Sequence, residues 1–122
     1  MRYLIDTSSL ISIVEDRWYD RLVSDERVTA LLTLPSVLEE LEKLAAGSGG
    51  RARAARTALV FARQTLKTAR EPADESHVDD ALLTVATTHG WGIVTQDHAL
   101  VKRAKEKGIP TLTRTRSGTI GD

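Results

Sequence analysis

The sequence predicts an α/β fold, a parallel sheet sandwiched between helices, on three observations. Short apolar runs alternate along the chain with longer stretches whose apolar residues recur at helical spacing. Acids follow the strand-like runs, as Asp6 does after Tyr3-Leu4-Ile5 and Asp97 does after Ile93-Val94-Thr95. Finally, 122 residues without a repeat or a long linker are the size of one ordinary domain, expected to span 1–122 with a sizeable core.

In chain order, residues 2–6 read as a short buried strand. A helix is expected from about Ser8 to Glu15, and another across Arg17–Ser24. Val28 to Leu34 is the second strand, ended by Pro35. Ser36 to Ala46 is a helix, since Val37, Leu38, Leu41, Leu44 and Ala45 form one stripe, and Gly47 suits its C-terminal cap. Past Gly47-Ser48-Gly49-Gly50, the Ala-rich segment Arg51 to Arg63 is a further helix, and Thr65 to Ala69 a short edge strand. Val78 to His89 places Val78, Ala81, Leu82, Val85 and Ala86 inward and ends at Gly90. Ile93 to Thr95 is a strand, His98 to Lys107 a helix stopped by Gly108, and Pro110 to Thr113 the last strand. Such alternating βα units build parallel sheets.

Bulk properties exclude several chemistries. No cysteine is present, which removes disulfides, thiolate catalysis and zinc–sulfur sites together. The start Met-Arg-Tyr-Leu-Ile-Asp is unlike a signal peptide, and no apolar stretch reaches the roughly 18 residues of a membrane span. A cytoplasmic protein that does not enter membranes is the expectation. The 17 basic and 17 acidic residues cancel overall but not locally. Residues 1–50 carry five Lys/Arg against nine Asp/Glu, and residues 51–122 carry twelve against eight. Basic segments at Arg51–Arg70, Lys102–Lys107 and Arg114–Arg116 flank an acidic centre at Glu71–Asp80, which suits a phosphate polymer held by cations.

Four acids carry the chemical argument. Asp6 and Asp97 end or follow strands, while Glu40 and Asp80 lie about one turn into helices. With right-handed crossovers all four fall on one edge of an open α/β sheet. One acid there is explained by capping or by the positive end of a helix. Four on one edge repel each other and need a cation, and their hard oxygens suit Mg²⁺ or Mn²⁺. The neighbouring acids Glu39 and Asp79 have another explanation. Ser36-Val37-Leu38-Glu39 and Ser76-His77-Val78-Asp79 both read as capping boxes, which assigns Glu39 and Asp79 to folding, with Asp79 near enough to assist from outside. Thr95, two residues before Asp97, is placed to orient that acid or a bound water. Either Thr7 or Ser8 is expected to cap the first helix, leaving the other for Asp6 or a phosphate oxygen. Arg53, Arg56 and Arg63 lie roughly on one side of their helix and, with Lys102, are candidates for binding substrate phosphates. Histidines 77, 89 and 98 show no metal-ligand spacing, and Trp18 and Trp91 read as packing residues.

These residues resemble the PIN-domain ribonucleases over nearly the whole chain. The resemblance rests on an ordered set: Leu4-Ile-Asp6-Thr-Ser-Ser, Leu34-Pro-Ser-Val-Leu-Glu-Glu40-Leu, Asp79-Asp80-Ala-Leu-Leu, Ile93-Val-Thr95-Gln-Asp97 and Lys107-Gly-Ile-Pro-Thr-Leu. It is similar to two branches, the VapC toxins and small archaeal proteins like rRNA-processing nucleases. The resemblance implies a three-layer α/β/α sandwich with a central parallel sheet of four or five strands. It also implies a Mg²⁺- or Mn²⁺-dependent endoribonuclease, often a homodimer, paired with an antitoxin or an RNA-processing complex. Carried over by position, Asp6, Glu40, Asp80 and Asp97 match the acidic quartet, Thr95 the supporting hydroxyl, and Ser8 a polar contact. Hydrolysis by external water would leave a 5′-phosphate and a 3′-hydroxyl. A response-regulator receiver fits poorly, because the segment Thr65–Ala69 ends in no Asp. A haloacid-dehalogenase phosphatase needs Asp-x-Asp where this chain has Asp6-Thr7-Ser8. The competing reading is a PIN fold that binds RNA or a protein partner with weak or no cleavage.

Overall fold

The computed structural model describes residues 1–73 and 77–122. Its elements in order are β1 (Arg2–Ile5), α1 (Thr7–Asp16), α2 (Tyr19–Val23), β2 (Ala30–Thr33), α3 (Pro35–Ala45), α4 (Gly50–Thr65) and β3 (Lys67–Thr68). They continue with α5 (Val78–His89), β4 (Gly92–Val94), α6 (His98–Glu106), β5 (Thr111–Arg114) and β6 (Ile120–Gly121). The sheet runs β3-β2-β1-β4-β5-β6. Its first five strands are parallel, as βα alternation demands, with Tyr3 paired to Leu31 on one side and Gly92 on the other. The sixth, β6, returns antiparallel onto Thr113–Arg114. The sequence reading stopped short of it, because two residues after a turn at Gly118 carry no period-two signature. Tertiary bonds hold β6 in place: Arg21 Nη1 donates to Gly118 O (2.7 Å) and Arg27 Nη2 to Ile120 O (3.1 Å).

The result is a three-layer α/β/α arrangement. Helices α1, α3 and α4 pack on one another, α5 lies against β1 and β4, and α6 against β5. Leu4, Ile5, Ile93, Val94 and Leu112 from the central strands are wholly buried among Leu10, Leu41, Leu82 and Leu100 of the helices. That non-alternating burial is what a parallel sheet covered on both faces requires. Trp18 is fully buried, its Nε1 donating to Ser12 Oγ (3.0 Å). Among the described residues no helix is long and apolar enough to cross a membrane.

Two helix starts differ from expectation. The α3 box fails because Pro35, which lacks an N–H and has a preset φ, occupies the first helical position, and Leu34 is the N-cap. Ser36 is therefore already inside the helix, and Glu39 is too far along to reach back. The orphan amide of Ser36 is capped from elsewhere: Ser36 N and Oγ donate to the two carboxylate oxygens of Glu71 (2.7 and 2.6 Å). In α1 neither Thr7 nor Ser8 is the cap. Asp6 itself accepts from Ser9 N (2.9 Å). The proposed box at α5 rests on Ser76, which lies outside the described residues.

Candidate active site

Asp6 stands where β1 gives way to α1, at the centre of the sheet, and is 4% exposed. Burial is the dominant influence on its carboxyl and pushes its pKa up to about 6. Three donors work against that rise. Thr95 Oγ1 donates at 2.5 Å, Ser9 N at 2.9 Å, and Ser8 Oγ reaches both oxygens at 2.9 and 3.0 Å. The same hydroxyls reach across to the next crossover. Ser8 Oγ accepts from Gln96 N (3.2 Å), and Thr95 Oγ1 accepts from Asp97 N (3.0 Å). The Thr95 hydroxyl thus orients Asp6, one strand over, rather than the Asp97 carboxylate. Asp97 is the N-cap of α6, its Oδ1 accepting from Ala99 N (2.9 Å) and Leu100 N (3.4 Å).

A cleft of about 250 Å³ opens over this network, lined by Asp6, Thr7, Ser8, Glu40, Arg51, Val78, Asp79 and Asp97. A larger cleft of about 370 Å³ lies against β2 between Arg2, Tyr19 and Lys67, but no carboxylate lines it. The expected acids converge on the smaller one, where three of the four meet. Asp80 does not: it pairs with Arg103 (2.6 Å) on a partly exposed surface, which holds its carboxyl below the usual range. Asp79 lines that cleft instead, and Asp80 lines the adjoining one together with Glu40 and Asp79. Burial raises the Asp79 pKa first, and the charges of Asp97 and Glu40 raise it further. Successive helical residues point about 100° apart, so only one of the two adjacent acids reaches the cleft that holds Asp6 and Asp97, although both line the cleft next to it. The apparent capping role of Asp79 concealed which one.

The expected cations also differ. Arg56 Nη1 donates to Ala45 O (2.7 Å), and Arg63 pairs with Glu42 (2.6 Å), so both bind α4 to α3. Arg53 and Lys102 are exposed and line none of these acid-bearing clefts. The cation lining the cleft with Asp6 and Asp97 is Arg51, one residue into α4, reached after Gly49 turns the chain with a φ of 91°. Its side chain has no ion pair or hydrogen bond among the described residues. Gln96 was also missed; it receives Arg114 N (3.3 Å) on Oε1 and anchors the loop between Thr95 and Asp97. Only the tertiary pairing of β4 with β5 and β1 gives it that role.

The cleft's donors fit a hard divalent ion. They are carboxylate and hydroxyl oxygens without His or Cys. The Thr7 Oγ1 is buried there without a hydrogen-bond partner, an unmet polar atom that a hydrated ion's water would satisfy. Among the described residues no three acids are close enough to cage a bare ion. A Mg²⁺ that keeps several waters and uses one or two carboxylates plus a substrate phosphate needs no cage.

The chain belongs to the PIN-like domain family, whose model matches residues 5–116. Among solved structures it is similar to the PIN domain endonuclease Utp24, at 24% identity and a TM-score of 0.76, over 98% of this chain and 88% of that one. It is also similar to PAE2754 from Pyrobaculum aerophilum, at 26% identity and a TM-score of 0.61, over 91% and 83%. A third is VapBC-1 from nontypeable Haemophilus influenzae, at 15% identity and a TM-score of 0.64, over 91% and 96%. A comparison with curated proteins returns no match.

Proposed function

We propose that the protein is a divalent-metal-dependent endoribonuclease whose acidic set is Asp6, Glu40, Asp79 and Asp97. The observation that carries this is the convergence of these four acids on one cleft over a buried, hydroxyl-supported Asp6. Family membership and the likeness to the endonuclease Utp24 support a nuclease; the likeness to VapBC-1 supports a toxin-like setting beside an RNA-processing one. The expected partners are RNA, an antitoxin or processing complex, and a second copy of the chain, in the cytoplasm.

A divalent ion bound at these acids would supply activation of water and compensation of phosphate charge. The chain's own residues do the rest. Thr95 and Ser8 fix the Asp6 carboxylate and share hydrogen bonds with the loop that carries Asp97, so these two acids hold one spacing. Glu40 and Asp79 close the cleft from α3 and α5. Arg51 is positioned to take the charge of the phosphate that enters between them.

Cleavage of a labelled structured RNA tests this reading, with Mg²⁺, Mn²⁺ or EDTA and with Asp6→Asn, Asp79→Asn and Asp80→Asn. Metal-dependent cutting should fall by about 100-fold or more in the first two variants, and stay within about fivefold in Asp80→Asn. An inactive Asp80→Asn beside an active Asp79→Asn would return Asp80 to the acidic set. If wild type cuts none of several RNAs yet binds them, the chain is a binding partner on a PIN fold. Cutting in EDTA that leaves a 2′,3′-cyclic phosphate would remove the metal from the mechanism.

A further inference from the structure

The acid cleft continues beyond Asp79. A second cleft, whose lining includes His77, Asp80 and Arg103, shares Glu40, Val78 and Asp79 with it. That one shares Asp80 and Arg103 with a groove of about 380 Å³ between α5 and α6, where Thr84, Thr87, Thr88 and Lys107 also contribute. The three form one depression running from the acids down the outside of two neighbouring helices. Its chemistry changes along the way, from carboxylates at the sheet edge to cations and hydroxyls between the helices. Arg103 and Lys107 lie one helical turn apart, so both present to the same groove. Leu83 is the one apolar side chain among the groove's described lining, and it is 2% exposed. Such a lining suits a hydrated anion and offers no pocket for an apolar ligand.

Arg103 is the junction. Its Nη2 lies 2.6 Å from Asp80 Oδ1, with the two side chains 45% and 35% exposed. An ion pair that open to water is weakly held, and a phosphodiester can replace its carboxylate. The acid cleft repels the phosphates on either side of the one being cut, so the flanking backbone must find cations beyond it. The α5/α6 groove begins at the Asp80–Arg103 pair, beyond Asp6, Glu40, Asp79 and Asp97.

We propose that this groove is the track for single-stranded RNA flanking the scissile phosphate. Arg103 and Lys107 contact its phosphates, and Asp80 is a placeholder anion that holds Arg103 over the groove when RNA is absent. The proposal deepens the nuclease reading and rests on it for the direction of the strand.

The test is fluorescence anisotropy of a labelled oligouridylate against salt, in EDTA and in Mg²⁺, with Arg103→Gln, Lys107→Gln and Asp80→Asn. Lys105→Gln is the control: it makes the same charge change on the same helix but lines a different hollow. Losing Arg103 or Lys107 should reduce the slope of log affinity against log salt by about 0.7 each. In the cleavage assay these variants should raise KM with kcat changed less than about twofold. Asp80→Asn should bind more tightly. Equal slopes for all variants, an equal loss in Lys105→Gln, or no binding by wild type overturns the track. Weaker binding by Asp80→Asn overturns the placeholder role. Normal cutting with unchanged slopes leaves the nuclease standing without the track. Reduced slopes in a protein that cuts nothing leave the track standing without the nuclease.

Discussion

Asp6 is where the cost of the site concentrates. Its pKa in the folded chain, about 6, lies above its ordinary value of 3.8. Between those values the native state binds more protons than the unfolded one, so stability falls as pH rises through the window. Below pH 3.8 the neutral carboxyl costs nothing extra. Above pH 6, burying the charge costs roughly 2–3 kcal/mol, from about two pKa units at 1.36 kcal/mol each. Metal-free wild type should therefore lose stability relative to Asp6→Asn between about pH 4 and 6.5, in urea unfolding with EDTA. Parallel stability curves for the two proteins across that range would show that the charge is not buried at cost. Added Mn²⁺ should recover the loss in wild type at pH 7.5, raising Tm by several degrees through binding to the native state alone. Asp6→Asn and Asp79→Asn should shift much less under the same Mn²⁺ titration. Thr95 works through this residue: Thr95→Val removes a donor to buried Asp6 and leaves Asp97 N without its acceptor. It should cost about 1–3 kcal/mol, and an unchanged unfolding midpoint would mean water replaces the hydroxyl.

At the scale of elements, the helix starts separate local from distant control. α3 keeps the extent its apolar stripe announced, but its cap comes from Glu71, 35 residues on. Glu71→Ala should cost about 0.5–2 kcal/mol, whereas Glu39→Ala, at an exposed position, should stay within about 0.5 kcal/mol. The reverse order in thermal unfolding would restore the capping box that the sequence suggests. The boundary signals were legible because Pro35, Gly90 and the stripe residues act on their own backbone. The source of the cap was not, since nothing near Ser36 encodes a carboxylate from the loop after β3. The α4 arginines follow the same logic. Their spacing shows that they share a side, but not that α3 lies there to receive Arg56 and Arg63.

For the whole molecule, the parallel sheet fixes both the site and its tolerance. Gly92 begins β4 between β1 and β5, and a Cβ there would lie 2.3 Å from the Tyr3 ring and 2.9 Å from Pro110 O. Gly92→Ala should cost about 1–3 kcal/mol by overpacking, read as a lower urea midpoint. Full stability in that variant would mean the centre of the sheet yields more easily than its packing implies. Because β1 and β4 are neighbours, Asp6 and Asp97 emerge side by side although 91 positions separate them. α3 and α5 bring Glu40 and Asp79 to the same cleft from either side.

The sequence by itself determined the alternation of strands and helices, the parallel core and the gathering of acids at one sheet edge. Those properties follow from periodicity, from turn residues and from the rule that βα connections return each strand in the same direction. Tertiary structure alone decided that Asp79 rather than Asp80 lines the cleft with Asp6 and Asp97, that Arg51 stands in that cleft, and that β6 extends the sheet. Each of those choices turns on the rotation of a helix about its axis or on a partner far away in the chain. A local pattern fixes neither, because the energy that selects them comes from contacts made only when the elements pack.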